Sequence, residues 1–236
     1  MRAASEEQEA EGASFKYTDE GEPHSSLVKV VSLDFAGTLV SQDMMDYFWL
    51  EVVPLLYSKR HGIWLSEAKD EVYGAYEQVG KTDVRWYSPR YWFERFGLAD
   101  QLGLAVEEAG KRMKVYPDVA ALRELEDRYR FVICSNASDE FLALVTPRLG
   151  IKVEAVYSAV STFGLTAKRK DFYDKVAGSL NVQPTEIAHV GDDVKADFDS
   201  PREAGWFAVL LDRQRAHPDI SPSVFSLTSL RSLLER

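Results

Sequence analysis

Apolar and polar positions divide this chain into two unlike regions. Short apolar runs of strand length occur at Val31 to Leu33, Phe131 to Cys134, Val153 to Ala159, Ile187 to Val190 and Phe207 to Leu211. A continuous apolar run of this length, bounded by turn residues, fits a strand buried on both faces. From Ser41 to about Val115 such runs are almost absent, and apolar residues recur instead at three- and four-residue steps. Met44, Tyr47, Phe48 and Val52 follow Ser41, a candidate helix cap, and Pro54 is placed to bend that helix. A second helix is expected behind Ser66, with Leu65, Val72, Tyr76 and Val79 as its apolar positions. After Tyr116, Pro117 and Asp118 are start signals for a helix carrying Val119, Leu122, Leu125 and Tyr129, and helical stretches separate most of the later strands.

Strands alternating with helices predict an α/β fold, a Rossmann-like parallel sheet flanked by helices. Ligands of such sheets bind beyond the C-terminal strand ends. The expected organisation is an α/β core of residues 27–40 and 115–236, interrupted by a helical insert over 41–114. The segment Arg85-Trp86-Tyr87-Ser88-Pro89-Arg90-Tyr91-Trp92-Phe93 within that insert fits packing or the stacking of a ligand.

Charge adds a third region. The 236 residues carry a net charge of −10, and residues 1–26 hold seven acids against Arg2 and Lys16, a net of −5 and half the total. Low hydrophobicity with like charge marks residues 1–26 as a disordered acidic tail. The remainder is mildly acidic and offers no broad basic face for nucleic acid. No stretch approaches the roughly 20 apolar residues of a membrane helix, and the acidic N-terminus is unlike a secretion signal. A cytoplasmic protein without nucleic-acid or membrane partners is expected. The single cysteine, Cys134, excludes an internal disulfide and lies in an apolar run, where packing is its expected role.

The chemistry sits at the ends of the apolar runs. The first delivers Asp34 to a Gly37-Thr38 turn, where a carboxylate at an apolar strand end needs a partner such as a metal ion or phosphate. The fourth ends in Gly191-Asp192-Asp193, with Asp197 four residues on. Three acids within six residues suit a hard cation such as Mg²⁺, which prefers oxygen ligands, although aspartates also favour a turn and helix start. The second run ends in Ser135-Asn136, a hydroxyl and an amide that also suit an ordinary turn. Lys168 and Lys170 lie one helix before Gly191.

In their order and flanks these four segments resemble the motifs of the haloacid dehalogenase superfamily, with a helical cap between the first and second. Asp34, Gly37, Thr38 and Leu39 match the first motif, and Ala36 stands where most phosphatases of that superfamily carry a second aspartate as general acid/base. The resemblance implies Asp34 as nucleophile, Ser135 and Lys168 as catalytic partners, and Thr38, Ser135, Asn136 and Lys168 as phosphate ligands. It implies Mg²⁺ held by Asp34, the Ala36 carbonyl, Asp192 and Asp193, with Asp197 and Lys170 in support. Both lysines qualify for the third motif, and Lys168 is favoured by its distance to Gly164.

The implied activity is a Mg²⁺-dependent phosphatase of small molecules acting through an aspartyl-phosphate. With alanine at position 36, an easily expelled leaving group or an acid from the insert is required, His61 and Glu94 being candidates. Three alternatives stay open. One is a phosphonatase-like hydrolase of C–P bonds using an insert lysine, with Lys81 as candidate; others are a non-catalytic phosphate- or metal-binding module and a 2-haloacid dehalogenase. Homodimerisation through the aromatic insert is a further expectation.

Overall fold

A computed structural model of the chain describes residues 27–235; the acidic tail therefore lies outside the described residues. Six parallel strands form one sheet in the order β3-β2-β1-β4-β5-β6: β1 (Val30–Leu33), β2 (Arg130–Ser135), β3 (Val153–Ser158), β4 (Ile187–Gly191), β5 (Phe207–Leu211) and β6 (Ser223–Val224). The central strand β1 pairs Val30 with both Arg130 and Ile187, and Leu33 with both Ile133 and Val190. All four of its residues are buried. This register brings the C-terminal ends of β1, β2 and β4, where Asp34, Ser135 and Gly191 stand, to the same edge. The apolar runs predict five of the strands within one residue at each end; the two-residue β6 carries no such signal.

Helices α1 (Asp43–Tyr47), α2 (Val53–His61), α3 (Leu65–Val79), α4 (Pro89–Arg95) and α5 (Leu102–Gly110) all fall between β1 and β2. Two short contacts mark where the chain leaves and rejoins the sheet: Val40 bridges Val115, and the Ser41 amide donates to the Lys114 carbonyl at 2.9 Å. Met44, Phe48 and Val52 are buried, as their spacing predicts. The expected caps are not used. Gln42 precedes α1 and Trp64 precedes α3, neither with a side-chain cap, because α1 begins one residue later than a Ser41 cap would start it and α3 begins early enough to take Ser66 into its first turn.

Pro54 acts locally. Between α1 and α2 the helix widens over Phe48–Val52 into a π-type turn. Proline has no amide hydrogen and crowds the carbonyl four residues back, here that of Leu50. That carbonyl accepts from the Tyr73 hydroxyl at 2.7 Å, and the Trp49 carbonyl accepts from Tyr76 at 3.4 Å. Tyrosines of α3 thus satisfy groups that the proline frees.

The segment after Pro117 is a 3₁₀ run, Pro117–Leu125, rather than an α-helix. Its buried residues Val119, Leu122 and Leu125 recur every third position, which is the 3₁₀ period. Beyond β2 follow α6 (Asp139–Val145), α7 (Ala159–Phe163), α8 (Lys170–Leu180), α9 (Ser200–Glu203) and α10 (Leu230–Leu234). One apolar cluster, containing Leu33, Val190 and Leu211 of the strands with Phe48, Trp92 and Phe93, runs from the sheet into the helical segment. Cys134 packs in a second cluster with Val132, Phe172 and Trp206, and burial pushes its thiol up to about 12, so it is inert at neutral pH.

Candidate active site

Asp34 leaves the end of β1 with its amide held by the Val190 carbonyl at 2.9 Å and only 6% of its surface exposed. Its Oδ1 meets the Lys168 ammonium. Lys168 is itself 2% exposed and also donates to the Cys134 carbonyl at 3.1 Å and to Asp197 Oδ1. Its backbone amide donates to Asn136 Oδ1 at 2.9 Å, so Asn136 secures the lysine's own chain. Lys170 is a correction. It opens α8, and its amine pairs with Asp174 one helical turn on at 2.7 Å, exposed and away from the site. Of the two lysines, only Lys168 reaches Asp34.

Asp34, Asp192 and Asp197 each present a carboxylate oxygen within 4.8 Å of the others. Two glycines make that approach feasible. A Cβ on Gly37 would sit 2.2 Å from Asp192 Oδ2, and one on Gly191 would sit 2.3 Å from Asp197 Cγ. Gly37 also has φ +90°, which side chains rarely adopt. Asp193, expected beside the cation, lines the same cavity and also caps the turn Val194–Asp199, its Oδ1 accepting from the Ala196 amide at 2.7 Å. Thr38 is buried and donates to Asp192 Oδ1 at 3.3 Å, so its hydroxyl serves a carboxylate rather than lining the cavity.

Sequence reading missed the hydrogen-bond chain behind Asp197. Asp197 Oδ1 lies 3.0 Å from His189 Nε2, whose Nδ1 lies 2.9 Å from the Ser32 hydroxyl. The Tyr173 hydroxyl donates to the Ala196 carbonyl at 2.7 Å, 3.1 Å from the same Nε2. Burial holds His189 below its usual range, which leaves a neutral ring donating at Nε2 and accepting at Nδ1. Asp197 Oδ2 accepts from the Asp193 amide at 3.1 Å. Both oxygens of Asp197 are thus committed. Position on β4, a strand with both faces buried, was the available signal for His189.

Charge is unevenly shared. Burial disfavours the Asp197 anion, but Lys168 and His189 outweigh it and hold the carboxyl well below the usual range. Burial likewise disfavours the Lys168 cation, and Asp197 and Asp34 outweigh it. Asp34 is the loser: burial pushes it up to about 8 against Lys168, with Asp197 and Asp192 adding to the rise. Burial and Asp197 also raise Asp192. A cation placed among these oxygens would relieve both carboxylates.

Arg213, just beyond β5, was also missed. It donates to the Gly37 carbonyl at 3.2 Å and the Thr38 carbonyl at 2.7 Å, and to Asp118 Oδ2 at 2.8 Å. Asp118 also accepts from the Ser226 hydroxyl and the Leu227 amide, both at 2.9 Å. The residue expected at a helix start therefore ties the Gly37–Thr38 turn to the C-terminal strands.

Asp34, Lys168, Asp192 and Asp197 form the floor of a cavity of about 470 Å³ whose upper wall comes from the helical segment. Ala36, Ser135 and Asn136 line it beside Asp34 and Lys168. Helix α1 and the turn after it contribute Gln42, Met45, Asp46 and Trp49, positions that share one helical face. Tyr76, Trp86 and Tyr87 complete the wall. The aromatic stretch thus divides, Trp86 and Tyr87 facing the cavity while Trp92 and Phe93 are buried in the core. The other expected insert residues do not line it: the His61 ring lies against the Phe96 carbonyl at 3.2 Å, Glu94 is exposed, and the Lys81 amine sits over the Trp86 ring, 5.6 Å from its centroid.

The haloacid dehalogenase-like hydrolase family profile matches residues 28–205, and the chain belongs to that family of hydrolases. Among curated proteins it is similar to the GMP/IMP nucleotidase YrfG of Escherichia coli, 25% identical over 181 residues that span 75% of this chain and 80% of the relative. Among solved structures, a HAD phosphatase from Thermococcus onnurineus superposes with a TM-score of 0.68 at 23% identity, covering 88% of this chain and 98% of that one. A 2-haloacid dehalogenase from Pseudomonas syringae superposes with a TM-score of 0.65 at 16% identity, covering 89% and 99%. At these identities the structural likeness establishes the fold.

Proposed function

We propose that this hydrolase is a Mg²⁺-dependent phosphomonoesterase with Asp34 as nucleophile, acting on a small phosphorylated molecule that carries a planar ring. The observation that carries this reading is the buried Asp34–Lys168 pair with Asp192 and Asp197 at the floor of a partly aromatic cavity. Asp34 and Asp192 present carboxylate oxygens within 4.8 Å of each other, and with the carbonyl of Ala36 they make an all-oxygen donor set, which suits a hard cation. Asp34, Asp192 and the Ala36 carbonyl would hold Mg²⁺, and the bound ion would offset phosphate charge. Asp197 keeps Lys168 in place rather than offering a free oxygen. Lys168 balances charge on Asp34 and on the phosphate, and the Ser135 hydroxyl is placed to donate to a phosphate oxygen. Asp34 then attacks phosphorus as the bond to the ester oxygen breaks and the alcohol leaves, and water hydrolyses the aspartyl-phosphate to free Asp34 and inorganic phosphate.

Residues 41–114 serve as a cap over this chemistry, excluding water and supplying substrate contacts. Trp49, Trp86 and Tyr87 give the cavity flat faces for a ring. With the resemblance to a GMP/IMP nucleotidase, this makes nucleoside monophosphates the first substrates to try. A phosphonatase reading lacks its insert lysine, since the only amine lining the cavity among the described residues is that of Lys168. A pure binding module would have no need to bury a charged lysine against two carboxylates, an arrangement that is costly unless it serves function.

The deciding experiment is hydrolysis of 4-nitrophenyl phosphate with and without Mg²⁺, beside an Asp34→Asn variant. Turnover that requires both the ion and Asp34 supports the reading. Full activity in the variant would refute the covalent route, and no activity in the wild type would refute the phosphatase.

A further inference from the structure

The superfamily position for a general acid is filled here by Ala36, so the protonation of a poor leaving group must come from elsewhere in the cavity. Among the described residues, the helical segment presents one carboxylate to that cavity, Asp46. The other ionisable side chains it contributes are Tyr76 and Tyr87, and their hydroxyls are committed to the carbonyls of Trp49 and Lys81. Gln42, the residue before α1, and Asp46 within it are four residues apart and line the same wall. The opposite face, with Met44 and Phe48, is buried in the core, which fixes the rotation of the helix and aims Asp46 at the site. Its distance along the chain is also constrained: Asp46 follows Asp34 by twelve residues, and the Val40–Val115 bridge pins the connection. No side chain neutralises it among the described residues. A carboxyl group on that wall is able to give a proton to a leaving oxygen and to take one from water, the exchange that general acid–base catalysis needs.

Resting on the phosphomonoesterase reading, we propose that Asp46 is the general acid and base of this enzyme, replacing the missing aspartate at position 36 from the opposite wall. In the first half-reaction Asp34 bonds to phosphorus, the bond from phosphorus to the leaving oxygen breaks, and the Asp46 carboxyl gives that oxygen its proton, releasing the alcohol. In the second, water bonds to phosphorus as the aspartyl bond breaks, and the Asp46 carboxylate takes the proton that water loses. The enzyme thereby handles alkyl monophosphates, including the 5′-phosphates of nucleosides.

The test compares two ring-bearing esters, 4-nitrophenyl phosphate and benzyl phosphate, with Mg²⁺ present. The first expels a stable phenolate, whereas the second must be protonated as it leaves. Asp46→Asn is expected to lower kcat/KM for benzyl phosphate by about 10²- to 10⁴-fold, the usual contribution of general acid catalysis, with a far smaller loss for the nitrophenyl ester. Asp46→Glu, and Ala36→Asp added to Asp46→Asn, should each restore part of the benzyl activity. Equal losses on both esters, or no loss, would overturn the assignment, because a group that only shapes the wall does not distinguish leaving groups. A wild type inactive on both esters would instead bring down the phosphomonoesterase reading. Thermal unfolding of each variant separates these outcomes from misfolding.

Discussion

At the scale of single residues, Asp34 carries a cost that the rest of the site is arranged to relieve. In the folded, metal-free chain its carboxyl keeps a proton up to about pH 8, against about 4 in the unfolded chain. Between those values the native state binds more protons than the unfolded state, so this group makes stability fall as pH rises. In EDTA the melting temperature of the wild type should therefore drop from about pH 5 to pH 8 more steeply than that of Asp34→Asn. The variant should be the more stable of the two at the upper end. Parallel curves would mean that Asp34 is already compensated without a cation. Gly37 and Gly191 act at the same scale: each lacks the Cβ that would collide with Asp192 or Asp197.

Among elements, the Gly37–Thr38 turn after Asp34 is held less by its own sequence than by distant parts of the chain. Arg213 follows β5, Asp118 opens the 3₁₀ run, and Ser226 and Leu227 follow β6, yet their side chains and amides form one linked set at the Gly37 and Thr38 carbonyls. Both Arg213 and Asp118 are largely buried. Hydrogen bonds to charged groups are worth about 1.5–3 kcal/mol each, and an abandoned buried partner adds a penalty. Arg213→Ala should destabilise the protein by about 3 kcal/mol in urea unfolding and also reduce kcat, because the turn that presents Asp34 loosens. An unchanged unfolding midpoint would contradict the clamp. The spacing of Val119, Leu122 and Leu125 predicts a helix without choosing its type, because residues three apart satisfy both the α and the 3₁₀ period.

Across the whole molecule, the sheet assembles the site by setting β1 between β2 and β4, so residues more than a hundred positions apart share one floor. A cation bound there stabilises only the folded state, and linkage makes that visible without turnover. At a Mg²⁺ concentration of about 100 times its dissociation constant the gain is about 2.7 kcal/mol. The melting temperature should rise with Mg²⁺ in the wild type and stay nearly flat in Asp192→Asn. A rise in that variant equal to the wild type's would show that Asp192 is not a ligand.

The chain by itself determined the strands, their alternation with helices, the helical stretch between the first two strands, and the acids at strand ends. These are local matters: periodicity and flanking glycines decide which face is apolar and where a strand must stop. Tertiary structure decided which side chains meet. Two lysines two residues apart both suit the motif, and distance to Gly164 only favours Lys168; in the fold Lys168 turns inward to Asp34 while Lys170 turns out to Asp174. His61, Lys81 and Glu94 carry suitable chemistry, yet Asp46 is the group that faces the cavity, because the buried side of α1 fixes its rotation. Helical spacing tells which residues share a face, but what that face looks upon depends on packing against chain segments that no local pattern names.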